Sequence, residues 1–351
     1  MSSPRILFIL KRREDFDPTK HTKEGMQTGL YNSASFVANM LTAANVVAKM
    51  VIVIDNNDID REVSLFKPTH VIIEALWVVP SKFAVLTKLH PTVKWIIRLH
   101  SEIPFLAQEG LAFDWLGDYA TFPQIIIAAN APRALREVRQ FISMTHTWSE
   151  DTANERIVYL PNYYPQQYKT KEFNYDKDCI DIGCFGAVRP LKNHMLQAYG
   201  ALDFAASVNK KLNFHINARI ELKADAIVNS LKGMFQHLNK QGHQLIFHTW
   251  TPREEFLQLC QTMDIGVQVS YSETFNIVGA DFISEGIPLV GSYELPWMHN
   301  AYKADPTNSE QIANILKEVY QRPQNNVFLN QTELTKYTNE TENVWLSYFK
   351  S

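Results

Sequence analysis

Two acids, Glu273 and Asp281, stand eight positions apart in a chain of 351 residues. The stretch between them includes Phe275, Asn276, Ile277 and Val278 and is apolar enough to open a buried helix. Gly286, Pro288 and a short apolar run after them punctuate that helix and lead into a buried strand. A helix beginning near Phe275 leaves its first backbone N–H groups without intrahelical acceptors, and its dipole adds partial positive charge at the same end. Such a terminus is suited to phosphate. Glu273 precedes it and Asp281 follows two turns on, so a diphosphate has a carboxylate on either side, each able to accept hydrogen bonds from sugar hydroxyls. An ordinary amphipathic helix with two exposed acids is the alternative that the same letters allow.

About eighty residues upstream, the segment Gly183-Cys184-Phe185-Gly186-Ala187-Val188-Arg189-Pro190-Leu191-Lys192-Asn193-His194 reads as a strand ending at Gly186, a turn, and a helix starting near Asn193. The turn carries two cations, Arg189 and Lys192. Cations held in a fixed turn neutralise charge that develops on a departing phosphate.

Together the two motifs resemble the donor site of GT-B glycosyltransferases, in particular the large retaining family whose signature is Glu, seven residues, Glu. The resemblance implies an α/β chain of GT-B fold, with two Rossmann-like doubly wound domains facing a central cleft. It implies transfer of a sugar from a nucleoside diphosphate sugar, expected to be a UDP-sugar, to a hydroxyl, with retention of configuration. Glu273 then holds sugar hydroxyls, and Asp281, one methylene shorter than the family's second Glu, holds the ribose diol. Gly186, Arg189, Lys192 and the amides of Phe275, Asn276, Ile277 and Val278 hold the diphosphate. Lys192 keeps the family's place, six residues beyond Gly186, whereas Arg189 sits three residues after that glycine instead of directly after it. A delayed arginine is also a feature of phage DNA β-glucosyltransferases.

Further positions take meaning from the same frame. His100, in Leu99-His100-Ser101-Glu102, follows an apolar run and matches a family histidine that touches the donor sugar and the reacting region; a structural hydrogen-bonding role is the alternative. Glu102 is a candidate base should the reaction invert. Gly29 either lets the backbone approach the donor phosphate or opens a helix. Trp250, after a strand, either flanks the nucleobase or belongs to the core. Pro161-Asn162-Tyr163 resembles a family step between domains and also fits a plain linker turn. Asp55-Asn56-Asn57-Asp58-Ile59-Asp60 contains an Asp-x-Asp, expected to cap a helix rather than hold a metal. No metal ligand is assigned and no cofactor is required. A divalent cation is not expected to be essential, since Arg189 and Lys192 supply positive charge.

These residues must be positioned by alternating elements. Short apolar runs at Ile6–Leu10, Met50–Ile54, Val71–Ala75, Trp95–Leu99 and Ile125–Ala129 read as strands, with a helix over Tyr31–Ala44 and helical stretches between most of the others. The pattern fits a mostly parallel sheet covered on both faces. Residues 161–178 break the rhythm with two prolines and four tyrosines. A second series follows, with strands at Ile180–Phe185, Leu212–Asn217, Gln244–His248 and Ile265–Val269, and helices at Asn193–Val208, through Leu231, and at Arg253–Met263. The expected division is an acceptor-side domain at 1–165, a linker at 166–178 and a donor domain at 179–334. A terminal helix over 335–351 packs back on the first domain or ends the second.

Composition sets bounds. The formal charge of −3 gives no global attraction for nucleic acid, though it leaves room for a local basic face. Three cysteines suit a reducing compartment and argue against a disulfide framework. The N-terminus lacks signal-peptide anatomy and no apolar run is long enough to span a bilayer, so a cytoplasmic protein with no membrane partner is expected. Two glycosylation sequons, at Asn330 and Asn339, are read as chance.

The acceptor is suggested by two features. The polar stretch from Lys11 to Lys23 carries Lys11, Arg12, Arg13, Lys20 and Lys23, which either contact DNA phosphates or are simply solvated. The runs Val71–Pro80 and Ile97–Glu102 resemble glycosyltransferases of tailed bacteriophages, some of which glucosylate or arabinosylate hydroxymethylated cytosine. Double-stranded DNA carrying 5-hydroxymethylcytosine is the specific acceptor this implies. A surface glycan, a small molecule, or non-catalytic binding of a nucleotide sugar are the alternatives.

Overall fold

The computed structural model describes residues 3–12, 29–217 and 226–350. Two compact units divide the chain: residues 1–165 with 338–351, and residues 166–337.

The first unit runs β1 (Arg5–Lys11), α1 (Gly29–Ala43), β2 (Val47–Val53), α2 (Asp58–Phe66), β3 (His70–Glu74), α3 (Pro80–Leu89), β4 (Lys94–Leu99), α4 (Ile103–Leu106), α5 (Ala112–Ala120), β5 (Ile125–Ala129), α6 (Pro132–His146), α7 (Glu150–Arg156) and β6 (Ile157–Tyr159). Among the described residues these strands form one six-stranded sheet in the order β2-β1-β3-β4-β5-β6, parallel throughout. The apolar runs are continuous because both faces are buried. Leu7, Ile9, Val71, Ile73, Trp95 and Ile97 enter one core; Ile6, Phe8, Leu10, Ile72 and Ile96 enter the other. That second core also contains Trp345 and Phe349 from the end of the chain. The indole of Trp345 donates to the Pro161 carbonyl at 2.8 Å.

The second unit contains β7 (Cys179–Cys184), α8 (His194–Ser207), β8 (Lys211–Asn217), α9 (Ala226–Leu238), β9 (Gln244–His248), α10 (Arg253–Gln261), β10 (Ile265–Gln268), α11 (Ile277–Ser284), β11 (Leu289–Ser292), β12 (Lys303–Ala304), α12 (Ser309–Gln321) and the start of α13 (Pro323–Lys350). Its parallel sheet is ordered β12-β11-β10-β7-β8-β9. Two strand glycines let α11 lie close on this sheet. A Cβ at Gly183 or Gly266 would stand 2.7 or 2.5 Å from the Phe282 ring. Phe282 in turn stacks on Phe185 at 5.6 Å.

Several expectations need correction. Helix α13 begins at Pro323, well before the expected residue 335. Its first turns bury Asn326 and Asn330, whose amides bond Leu289 and His299 backbone, so polar letters hid a buried face. Residues 166–178 are laced onto the second unit: Lys169 pairs with Glu285, and the Lys171 ammonium donates to the Gln261 and Met263 carbonyls. The N-cap of α2 is Asn57, whose side chain does not cap; Asp55 and Asp58 instead accept from the Asn57 and Ile54 amides. The asparagine of the sequon at 330 is fully buried. No helix among the described residues is long and apolar enough to cross a membrane.

Candidate active site

The turn after β7 and the start of α11 meet. The Gly186 backbone has φ +108°, a conformation open to glycine, and the nearest atom to a Cβ placed there is Val278 Cγ2 at 3.9 Å. The Tyr271 amide donates to the Leu191 carbonyl at 2.9 Å. The Lys192 ammonium pairs with the Glu273 carboxylate. A backbone bond and an ion pair thus hold the cationic turn to the chain just before α11, and Val278 of its first turn is the nearest neighbour that a Cβ at Gly186 would meet.

Each partner is fixed from behind. The Lys192 carbonyl accepts from the Gln197 amide at 2.7 Å, and Gln197 Oε1 accepts from the Val269 amide at 2.6 Å. Asn193, in the left-handed region, donates to the Val269 and Pro306 carbonyls at 3.0 and 2.8 Å. A brief helical turn at Pro190–Lys192 carries the lysine, and Arg189 precedes it with an exposed side chain.

Helix α11 starts at Ile277, two residues beyond the expected Phe275, because Asn276 adopts φ 65° and caps it. Asn276 Oδ1 accepts the Gly279 amide at 2.7 Å, and its Nδ2 donates to Gln268 at 2.9 Å and to Glu273 at 3.0 Å. One side chain therefore caps the helix and aims Glu273. Ile277 and Val278 form the first turn, where helix geometry leaves N–H groups without intrahelical acceptors. Phe275 supplies packing: its ring is buried against Trp297 and Tyr337, and its carbonyl accepts from the Trp297 indole at 2.6 Å.

Asp281 is in different surroundings from those expected. It is buried and receives Arg253 at 2.7 Å. The shorter side chain stays among core residues, and the guanidinium at the start of α10 comes to it. Trp250, three residues before Arg253, is 37% exposed just past the end of β9. Sequence reasoning missed Arg253, Gln268 and Gln197. Asn276 was expected to lend its backbone amide, and its side-chain cap went unread.

His100 and Glu102 belong to the first unit. His100 Nε2 meets Glu74 at the end of β3, and Arg98 Nη1 lies 3.2 and 3.3 Å from the two Glu74 oxygens. Burial opposes the charge on Glu74, but Arg98 and His100 outweigh it and hold the carboxyl below its usual range. Burial, with Arg98 nearby, lowers the His100 pKa against the pull of Glu74. Glu102 is buried and paired with Arg133. Lys11 and Arg12 are exposed at the end of β1; Arg13, Lys20 and Lys23 lie outside the described residues. Gly29 is the first residue of α1, with open space where a Cβ would sit. Among the described residues no group of three His, Cys, Asp or Glu side chains is placed to hold a metal ion.

The sequence matches no known family model. No curated protein matches it either. Solved structures do match the fold over nearly the whole chain. The sucrose-phosphate synthase of Thermosynechococcus elongatus superposes with a TM-score of 0.69 at 11% identity, covering 99% of this chain and 98% of that one. A UDP-forming α,α-trehalose-phosphate synthase from Burkholderia vietnamiensis gives 0.66 at 11% identity, covering 99% and 97%. An Anabaena protein, HepE, solved with UDP and glucose, gives 0.60 at 13% identity, covering 98% and 96%. The chain has the GT-B fold, with two parallel α/β sheets of the kind these structures share.

Proposed function

We propose that the protein is a glycosyltransferase that moves a hexosyl or pentosyl group from a UDP-sugar to a hydroxyl, with retention. The observation that carries this is the meeting of the Gly186–Asn193 turn with the first turn of α11. Arg189, Lys192 and the amides of Ile277 and Val278 take the diphosphate, Glu273 takes sugar hydroxyls, and Asp281 with Arg253 serves the ribose side. Trp250 flanks the base, Gly186 and Gly29 admit the phosphates, and His100 serves the reacting region. Negative charge grows on the β-phosphate as the glycosidic bond breaks. Preorganised cations and N–H groups stabilise it there without rearranging at the moment of reaction. In the retaining reaction the acceptor hydroxyl approaches on the face the leaving group vacates and passes its proton to a phosphate oxygen. Arg189 and Lys192 supply the charge for which other enzymes recruit a divalent cation.

The names of the structural neighbours, two sugar-phosphate synthases and a protein solved with UDP and glucose, favour a uridine donor and a small hydroxylated acceptor. The likeness of Val71–Pro80 and Ile97–Glu102 to phage enzymes, with Lys11 and Arg12 exposed at the end of β1, favours 5-hydroxymethylcytosine in DNA. One experiment tests donor and acceptor together. Nucleotide release is measured with a panel of sugar nucleotides, against hydroxymethylated DNA, unmodified DNA and small sugar phosphates. Release that needs hydroxymethylated DNA supports the genomic acceptor; release with sugar phosphates alone rejects it. Wild-type turnover by Lys192→Ala and Glu273→Gln would reject the site.

A further inference from the structure

The buried centre at the carboxyl ends of β3 and β4 is more elaborate than packing requires. Glu74 and Arg98 are both fully buried. Arg98 Nε donates to the Leu160 carbonyl at 3.1 Å, and its Nη2 donates to Pro161 O at 3.0 Å and Asn162 Oδ1 at 2.6 Å. The guanidinium also lies 5.1 Å over the Trp345 ring. So tethered, Arg98 cannot swing out to a ligand; what it can do is keep Glu74 ionised. Ala75, next in the chain, adopts φ 72° while its amide donates to the Arg98 carbonyl at 2.9 Å. Left-handed backbone at a residue with a Cβ is costly and is retained where the surroundings demand it. Ligands of open parallel sheets bind beyond the carboxyl ends of the strands, which is where this centre lies.

A carboxylate only accepts, so the nitrogen that faces it must carry the proton. We propose that Glu74 and Arg98 are positioning residues for His100: Glu74 accepts from Nε2–H and locks the imidazole in the tautomer whose accepting nitrogen is Nδ1. The second-layer partner of a working histidine commonly sets its tautomer and orientation in this way. The proposal deepens the glycosyl-transfer function and rests on it for the role of His100; the tautomer itself does not depend on it.

The test has two arms. In protein labelled with ¹⁵N-histidine, long-range ¹H–¹⁵N spectra report the tautomer of each ring, and the His100 signals are identified by their loss in His100→Gln. Wild type should show protonated Nε2 and unprotonated Nδ1 at neutral pH, and Glu74→Gln should disturb that pattern. A His100 ring protonated on Nδ1, or an unchanged ring in Glu74→Gln, overturns the proposal whether or not a sugar donor is found. In the kinetic arm, Glu74→Gln should lower kcat about 10–100-fold with little change in donor KM. In a His100→Ala background the same substitution should add almost nothing. An equal loss in both backgrounds would assign Glu74 a structural role only. If wild type turns over no sugar nucleotide, the proposed function fails while the spectra still decide the tautomer.

Discussion

Each unit places a carboxylate beside a cation at the carboxyl end of a parallel sheet, but the two pairs are built in opposite ways. Lys192 and Glu273 are 23% and 8% exposed in their side chains, and Glu273 is also held by the Asn276 amide. Arg98 and Glu74 are 0% exposed, and the guanidinium is bound at Leu160, Pro161 and Asn162 as well. A partly exposed lysine on a flexible stem can exchange its carboxylate for a phosphate. A buried, many-fold bonded arginine cannot. The difference is the one expected between a pair proposed to meet a ligand and a pair proposed to hold a neighbour in place.

The largest effect should come from breaking the buried pair. Glu74→Leu leaves Arg98 as an uncompensated internal charge and should destabilise the protein by about 3–5 kcal/mol. Urea unfolding followed by fluorescence would measure it, and a loss below about 1 kcal/mol would remove the distinction between the two pairs. Next comes chemistry at the Lys192–Glu273 pair. Lys192→Ala should lower kcat about 10²–10³-fold, the usual cost of deleting one transition-state donor. The same variant should unfold within about 1 kcal/mol of wild type. Asn276→Ala removes the α11 cap and the bond that aims Glu273. It should cost about 1 kcal/mol in stability and lower turnover besides, which a paired melt and rate measurement would show.

The smallest effect concerns acid. His70 starts β3 with its ring against Phe349 at 5.1 Å. Burial, aided by Lys94, depresses its pKa to about 4 from an ordinary 6.5. The unfolded chain therefore binds the extra proton first. The contribution is fully present above pH 6.5 and is lost as pH falls from 6.5 towards 4, amounting at pH 6 to at most about 0.8 kcal/mol. His70→Phe should flatten this part of the stability profile; an unchanged slope between pH 6.5 and 4 would contradict the assignment.

Much of this was legible in the letters. Strands of the first sheet were readable because runs such as Ile6–Leu10 and Ile125–Ala129 are buried on both faces and stay apolar throughout. The opening of α11 was readable because Glu273, Asn276 and its first turn lie close together in the chain. What stayed hidden was contact across distance. Glu74 and Arg98 lie on neighbouring strands 24 residues apart, and Asp281 meets Arg253 from another helix, so no local period links them. The edge strands β6 and β12 went unread because they are only three and two residues long. Helix α12 went unread as well. The early turns of α13 were missed because its buried asparagines satisfy backbone groups of β11 and the His299 turn, work that apolar periodicity does not register.

The central claim is that Lys192, with Arg189, and the first turn of α11 grip one pyrophosphate. Calorimetric titration of UDP into wild type and Lys192→Ala tests it most directly. A charge-assisted hydrogen bond is worth about 1.5–3 kcal/mol, so the variant should bind UDP at least about tenfold more weakly. Equal affinity in the two proteins, or no UDP binding by wild type, would contradict the account.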